Sequence, residues 1–341
     1  MRRIIAFFTI IILLNVACSK IIVQPPQSNQ NLEDFEMTWN TINDVYPMLD
    51  NKNIDWDSIY TIYRSRTEKA VGDEFSQVLI DLLCELKDMH VYYVNKGRGL
   101  VFPYISPRHQ RDWKAFSPLV VRRYFNTPLK LACSEKVEFG ISVDNIGYIY
   151  IATFNEEGLL AGFDDVLNQL MDTKGLIIDV RHNSGGLMEN IRWVVGRFIT
   201  ESMPVLKIQN KGGTDILYDP FEPTVGKVPY TKPVVVLING VARSGGDIIA
   251  DVLRQINNVT LVGDTTAGAG CYDIEEQNQI RGNRILPSGR YINIPNTCGF
   301  RYDGIPIEWN GVPPDVYIKQ TENDINAGRD LQLEYAINRL K

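Results

Sequence analysis

Ser244 lies where the pattern of the chain changes from strand to helix. Val234–Ile238 is an apolar run rich in β-branched residues and too short for a helix. Asn239 and Gly240 end it, and from Gly245 the residues Ile248, Ile249, Val252, Leu253 and Ile256 follow at helical spacing. A serine at such a junction sits beside N–H groups pointing out of a helix start, a field that favours both a deprotonating hydroxyl and an oxyanion. Ser244 with Asp247 three residues later also has the spacing of a helix cap. This window alone leaves nucleophile and cap open. A serine nucleophile needs a base, and the chain has 3 histidines to supply an imidazole: His90, His109 and His182. His182 precedes Asn183-Ser184-Gly185-Gly186, where paired glycines either present free N–H groups to a ligand or make a tight turn into the next helix.

The elements that must position these groups fall into two units. Over residues 32–94 the spacing predicts a small helical bundle. Leu32, Phe35, Trp39, Ile42 and Tyr46 step by three and four until Pro47 stops them. A second helix starts near Asp55. A third carries the stripe Phe75, Val78, Leu79, Leu82, Leu83, Leu86 and ends at Lys87–His90, before the strand-like Val91–Val94. Residues 95–139, with scattered Pro, Arg and aromatics, read as an irregular connection. From 140 to 341 the pattern is α/β: strands at Ile146–Phe154, Gly175–Val180, Val234–Ile238 and Val259–Val262, and helices at Leu159–Met171, Leu187–Ile199 and after Gly245. Nearly unbroken apolar strands alternating with helices imply a mostly parallel sheet covered on both faces. Sites in such sheets form beyond the carboxyl ends of strands, where both Asn183–Gly186 and Ser244 fall.

Composition narrows the function. A charged content of 22% and a net charge of −6 without a long basic run argue against nucleic acid or an anionic membrane surface as the main partner. No spacing of His, Cys, Asp or Glu calls for a metal, and no cofactor motif is present.

Four motifs in order then give the chain a resemblance. Asp88-Met89-His90, the run Asp179 to Gly186 with Arg181 and Asn183, Ser244-Gly245-Gly246-Asp247 followed by Gly263 to Gly268, and the closing set Asp303-Gly304, Glu308, Gly311-Val312 and Pro314-Asp315 resemble the C-terminal processing and tricorn-core serine peptidases. The resemblance runs from about residue 32 to 320. It implies a crotonase-like β-β-α core, a peptide or protein substrate, Ser244 as nucleophile, His90 as base and Glu308 as its carboxylate partner. The oxyanion hole it implies is the backbone N–H of Gly185 or Gly186 with that of Gly245. One branch of that family uses a lysine base, but the corresponding position here is Ala269. Met89 replaces the small residue usual in the Asp-x-His motif, and residues 91–145 are too few for the PDZ module of longer members. His182 is expected to shape its turn and His109 to face solvent. The reading is a serine peptidase. Its rival is a catalytically silent peptide- or ligand-binding lipoprotein on the same scaffold.

The first residues carry targeting rather than fold. Arg2 and Arg3 precede the apolar Ile4–Leu14 and then Asn15-Val16-Ala17-Cys18, the order of a secretory signal. The apolar run is shorter than the about 20 residues that span a bilayer. Val-Ala-Cys resembles a lipobox, which makes residues 1–18 a signal, Cys18 a lipidation site, and residues 19–31, rich in Gln, Asn, Pro and Ser, a tether. An exported protein held to the bacterial membrane by its lipid alone is the expectation. Of the other cysteines, Cys84 is expected buried and unpaired, while Cys271 and Cys298 flank a strand-rich stretch and can bridge.

Overall fold

The computed structural model describes residues 27–95, 99–204, 207–213, 215–217, 220–273 and 282–341. Residues 1–26, with the expected signal and Cys18, lie outside them.

The chain opens with α1 (Gln27–Val45), α2 (Trp56–Lys69) and α3 (Glu74–Cys84). Helix α1 begins inside the stretch expected to be a tether. Composition flagged a polar tract there, but the apolar stripe that follows extends its helix upstream, with Asn31 already buried and the Gln30 amide donating to the Pro287 carbonyl. Asp55 caps α2 by accepting from the Ser58 N–H.

The stretch expected to be irregular is also corrected. After β1 (Tyr92–Asn95) it holds β2 (Gly99–Val101), α4 (Pro107–Asp112), α5 (Pro118–Val121), β3 (Lys130–Ala132) and the start of β4 (Val137–Ile141). Proline at the first turn starts both short helices. Segments this short have too few repeats for periodicity to show.

The α/β unit then runs β5 (Ile146–Ile151), α6 (Leu159–Leu170), β6 (Gly175–Asp179), α7 (Met188–Gly196), β7 (Lys207–Asn210), β8 (Asp215–Leu217), β9 (Val234–Ile238), α8 (Gly245–Leu253) and β10 (Val259–Gly263). It closes with β11 (Cys271–Tyr272), β12 (Arg284–Ile285), β13 (Tyr291–Asn293), β14 (Thr297–Phe300), β15 (Val316–Tyr317), α9 (Glu322–Asn326) and α10 (Leu331–Leu340).

The main sheet has the order β15-β10-β9-β6-β5-β4-β3. It is parallel from β15 to β5 and antiparallel from β5 to β3, the mostly parallel sheet the sequence predicts. Alternate residues of the central strands enter two cores. Ile178, Val236 and Ile238 face helices α6, α7 and α8, while Ile177, Val235 and Leu237 face α10 and Phe116, Val121 and Phe125. Burial on both faces is why these strands read as unbroken apolar runs.

The helical unit does not close on itself. Its core takes in Cys271, Leu286, Ile292, Ile294 and Cys298, and β1 pairs with β13. Cys271 and Cys298 face each other across β11 and β14 and are bridged. Cys84 is free but half-buried rather than enclosed, because it sits on the last turn of α3.

Candidate active site

Strands β6 and β9 are parallel neighbours, so the segments leaving their carboxyl ends meet. From β6 comes Asp179, whose carboxylate accepts from Arg181 Nε at 3.0 Å and Nη2 at 2.6 Å and from the Tyr148 hydroxyl at 2.9 Å. Arg181 also reaches Asp330 at 2.8 Å, and all these groups are buried. Burial pushes the Asp179 carboxyl up while Arg181 draws it down. This cluster anchors the loop and is closed to any ligand.

Asn183 sets the loop's shape. Its amide donates to the Ile151 carbonyl at 2.8 Å, its Oδ1 accepts the Gly185 N–H at 2.8 Å, and its carbonyl accepts the Arg243 N–H at 3.0 Å. Gly185 and Gly186 have φ of 87° and 141°, and a Cβ on Gly185 would lie 2.7 Å from Ser244 Cβ. Both must be glycine. Of the two N–H groups proposed for an oxyanion, that of Gly185 is therefore committed. The bridge between Phe154 and Gly186 is made by the Phe154 and Leu187 N–H groups, which leaves the Gly186 N–H without a partner among the described residues. Its nitrogen lies 3.1 Å from where a Gly245 Cβ would stand. The Gly245 N–H is likewise unbonded at the first turn of α8.

Ser244 precedes α8 with φ 56° and ψ −117°, and its hydroxyl makes no capping bond. An L-residue is held there at a cost of about 1–3 kcal/mol, which a simple cap does not require. Asp247 fixes the turn. This buried carboxylate accepts from the Ser244 N–H, the Thr266 hydroxyl, the Gly268 N–H at 2.9 Å and the Ala269 N–H at 3.1 Å. Burial nevertheless pushes its pKa up to about 6. The Ser-x-x-Asp spacing signals half a capping box, and the further donors come from a loop the sequence cannot place.

His90 follows α3 by a short turn, its N–H donating to Asp88 Oδ1 at 2.8 Å. It shares a cavity of about 240 Å³ with Ser184 and Arg243, the residues that precede Gly185 and Ser244. Burial lowers the imidazole pKa, Asp88 raises it and Arg243 lowers it again. Its Nδ1 is buried without a partner among the described residues, and no hydrogen bond joins it to Ser244 or Glu308.

Glu308 is fully buried and held by a residue that sequence reasoning missed. Its Oε1 accepts from Lys52 Nζ at 2.8 Å, and its Oε2 from the Gly270 and Cys271 N–H groups at 2.9 and 3.3 Å. Lys52 also donates to the Leu86 carbonyl at 2.7 Å and the Tyr46 hydroxyl at 2.9 Å, and Tyr46 donates to Asp88 Oδ2 at 2.9 Å. One buried chain thus runs Glu308, Lys52, Tyr46, Asp88 to the His90 backbone. Burial and Asp88 push the Glu308 carboxyl up, and Lys52 opposes them. Lys52 lies in the polar turn Asp50–Asn53, a context that reads as solvent-facing. Asp88, Cys271 and Glu308 bring ligand-type atoms within 4.8 Å of one another, but the Cys271 sulfur is bonded to Cys298 and the Lys52 ammonium already supplies the cation.

The other two histidines stand apart. His182 has φ 61° in its turn and stacks on Trp113 at 5.2 Å between centroids, with burial lowering its pKa to about 4. His109 was expected in solvent but is half-buried and also stacks on Trp113, at 5.3 Å. Ala269 is buried against Met89 and Ala267.

Comparison with known proteins gives the family. The model of peptidase family S41 matches residues 145–318, and that of the tricorn protease C1 domain residues 28–84. The chain belongs to peptidase family S41. Among its relatives, the carboxy-terminal processing protease CtpB of Bacillus subtilis is 30% identical over 243 residues, covering 69% of this chain and 46% of CtpB. The tricorn protease of Thermoplasma acidophilum is 30% identical over 203 residues, covering 58% of this chain and 17% of that protein. The chain thus spans less than half the length of these S41 relatives. A crystal structure from Parabacteroides merdae, of a protein taken to be a peptidase, superposes with a TM-score of 0.78 at 24% identity, covering 91% of this chain and 96% of that one. Mature CPAF in complex with lactacystin superposes with a TM-score of 0.66 at 14% identity, covering 92% and 98%. At these identities the two structures bear on fold. No helix among the described residues is long and apolar enough to cross a membrane.

Proposed function

We propose that this S41 member is a serine peptidase in which Ser244 attacks the peptide carbonyl, His90 takes and returns the proton, and Glu308 steadies the imidazole. The observation that carries the reading is the strained backbone of Ser244, its hydroxyl uncommitted, beside the unbonded N–H groups of Gly186 and Gly245. Those two donors form the oxyanion hole, and losing one such donor typically costs about 10²–10³ in rate. His90 works as a neutral base and passes its proton to the leaving amine, after which water hydrolyses the acyl-enzyme by the same route.

Glu308 is bound to Lys52 and reaches the His90 backbone through Tyr46 and Asp88. An imidazolium then gains from both carboxylates. Catalytic hydrogen bonds are often loose in the free enzyme and tighten with substrate.

Export and anchoring belong to the same reading. Residues 1–18 serve as the signal, and Cys18 carries the lipid that holds the protein to the outer side of a bacterial membrane. The buried Cys271–Cys298 bridge suits an oxidising compartment.

A fluorophosphonate probe tests the assignment against the rival of a silent binding lipoprotein. Covalent labelling mapped to Ser244 is the expected result. An intact, folded protein that stays unlabelled while still binding peptide supports the rival.

A further inference from the structure

We propose that Arg243 anchors a carboxylate of the peptide substrate on the leaving-group side of the scissile bond. The inference rests on Ser244 as nucleophile and His90 as base.

Arg243 is half-buried and lines the cavity of about 240 Å³ that it shares with His90, Ser184, Tyr92, Phe102 and Asn293. Its guanidinium makes no hydrogen bond or ion pair with any described residue. The buried arginines elsewhere are all engaged: Arg181 by Asp179 and Asp330, Arg197 by Asp164, Arg301 by Asp303. The carboxylate whose charge acts on Arg243 is Asp247, but its oxygens serve Thr266, Gly268, Ala269 and the Ser244 N–H. Asp273 also lines the cavity, where its charge acts on Tyr92. A guanidinium drawn partly out of water with its donors unused is unfavourable until an acceptor arrives. Its planar fork matches a carboxylate through two parallel bonds.

Position assigns the side. His90 hands its proton to the leaving amine, so the cavity beside His90 receives the part of the chain beyond the cut. A carboxylate there is either the substrate's own terminus, a few residues past the scissile bond, or an acidic side chain. In the free protein Arg243 and burial oppose the His90 proton while Asp88 favours it. A bound carboxylate offsets Arg243 and favours the imidazolium that forms during reaction.

The test uses one peptide sequence in three forms: a free C-terminal carboxylate, a C-terminal amide, and an amide with Glu one residue past the cut. Wild type should favour a carboxylate-bearing form over the plain amide by about 10–100-fold in kcat/KM, the range of a charge-assisted bond. The form favoured identifies the source. Arg243→Met should erase that preference, so that the three forms are cleaved alike, and Arg243→Lys should keep part of it. Lys87→Met removes a like charge from the neighbouring cavity and should leave the preference intact. Inhibition of wild type by the released peptide as acid or amide gives the same comparison without a variant, and the acid should bind more tightly. Equal wild-type rates on all three forms, or an equal loss on all three in Arg243→Met, overturns the proposal while Ser244 labelling persists. Wild type that takes no fluorophosphonate label overturns the nucleophile assignment and this proposal with it.

Discussion

Ser244 pays a conformational cost that its side chain does not recover, because its hydroxyl caps nothing. Ser244→Ala should therefore lower peptidase rate by about 10⁴-fold or more, yet change stability by no more than about 0.5 kcal/mol. Ser244→Gly, equally inactive, should be more stable than Ser244→Ala by about 1 kcal/mol, since glycine accepts φ 56° without strain. Denaturant curves of the two inactive proteins check this, and an alanine variant as stable as the glycine one would mean the turn is unstrained. As the proposed base, His90 should set the pH response. Its pKa is lowered by burial and Arg243 against the pull of Asp88, so the acid limb of kcat/KM should have its midpoint below the ordinary imidazole value of about 6.5. The stability sign agrees. A histidine whose folded pKa is depressed contributes stability above about pH 6.5 that is lost as pH falls through the folded value, and for His182 that window reaches down to about 4. A rate midpoint above 7 in the pH profile would contradict the assignment of His90.

At the scale of elements, α1 to α3 and the turns after them do more than cover the sheet. The turn after α1 supplies Lys52, and the turn after α3 supplies Asp88 and His90. Removing the ammonium with Lys52→Met would leave Glu308 and Asp88 within 4.8 Å of each other with no cation between them. That variant should lose about 3–5 kcal/mol, the cost of stranding a buried charge. Lys52→Met with Glu308→Gln should recover much of the loss, read from the double-mutant cycle in urea. Met89 and Ala269 form a second coupled pair. By the resemblance of its motifs Ala269 corresponds to the base of the lysine branch, and Met89 packs beside it. Ala269→Lys should not raise the rate and should cost about 1–3 kcal/mol by overpacking. Adding Met89→Ala should restore stability but not speed, measured as the melting midpoint and initial rate on one fluorogenic peptide. The periodicities of α3, β6, β9 and α8 were legible because each is long or uniformly apolar enough to show its period. The glycines and Ser244 were legible because junctions between periods mark them. Lys52 and Arg243 were not, since a lysine in a polar turn and an arginine before a helix look solvated until distant segments enclose them. The short elements between 99 and 132 escaped for want of length.

Residues between Cys271 and Cys298 fold back on the helical unit. Leu286, Ile292 and Ile294 complete the core of the helical unit, the Cys271–Cys298 bridge ties β11 to β14 on either side of them in the chain, and the Cys271 N–H holds Glu308. The helical unit and the sheet should therefore unfold in one transition. With Trp113, Trp193 and Trp309 replaced by Phe, Trp39 and Trp56, stacked at 6.3 Å inside the helical unit, report one half, and fluorophosphonate labelling of Ser244 reports the other. Their urea midpoints should coincide. Reducing the bridge, which closes a separation of 27 residues, should remove about 2–4 kcal/mol. It should move both midpoints together, because the strand that loses its tie also positions the Glu308 carboxylate. Ile292→Ala, a deletion within the shared core, should cost about 2–5 kcal/mol and also shift both signals. If tryptophan fluorescence changed at lower urea than labelling was lost, the helices would be an independent unit. Glu308 would then keep its backbone donors while losing Lys52, and peptidase rate would fall at the first transition rather than the second.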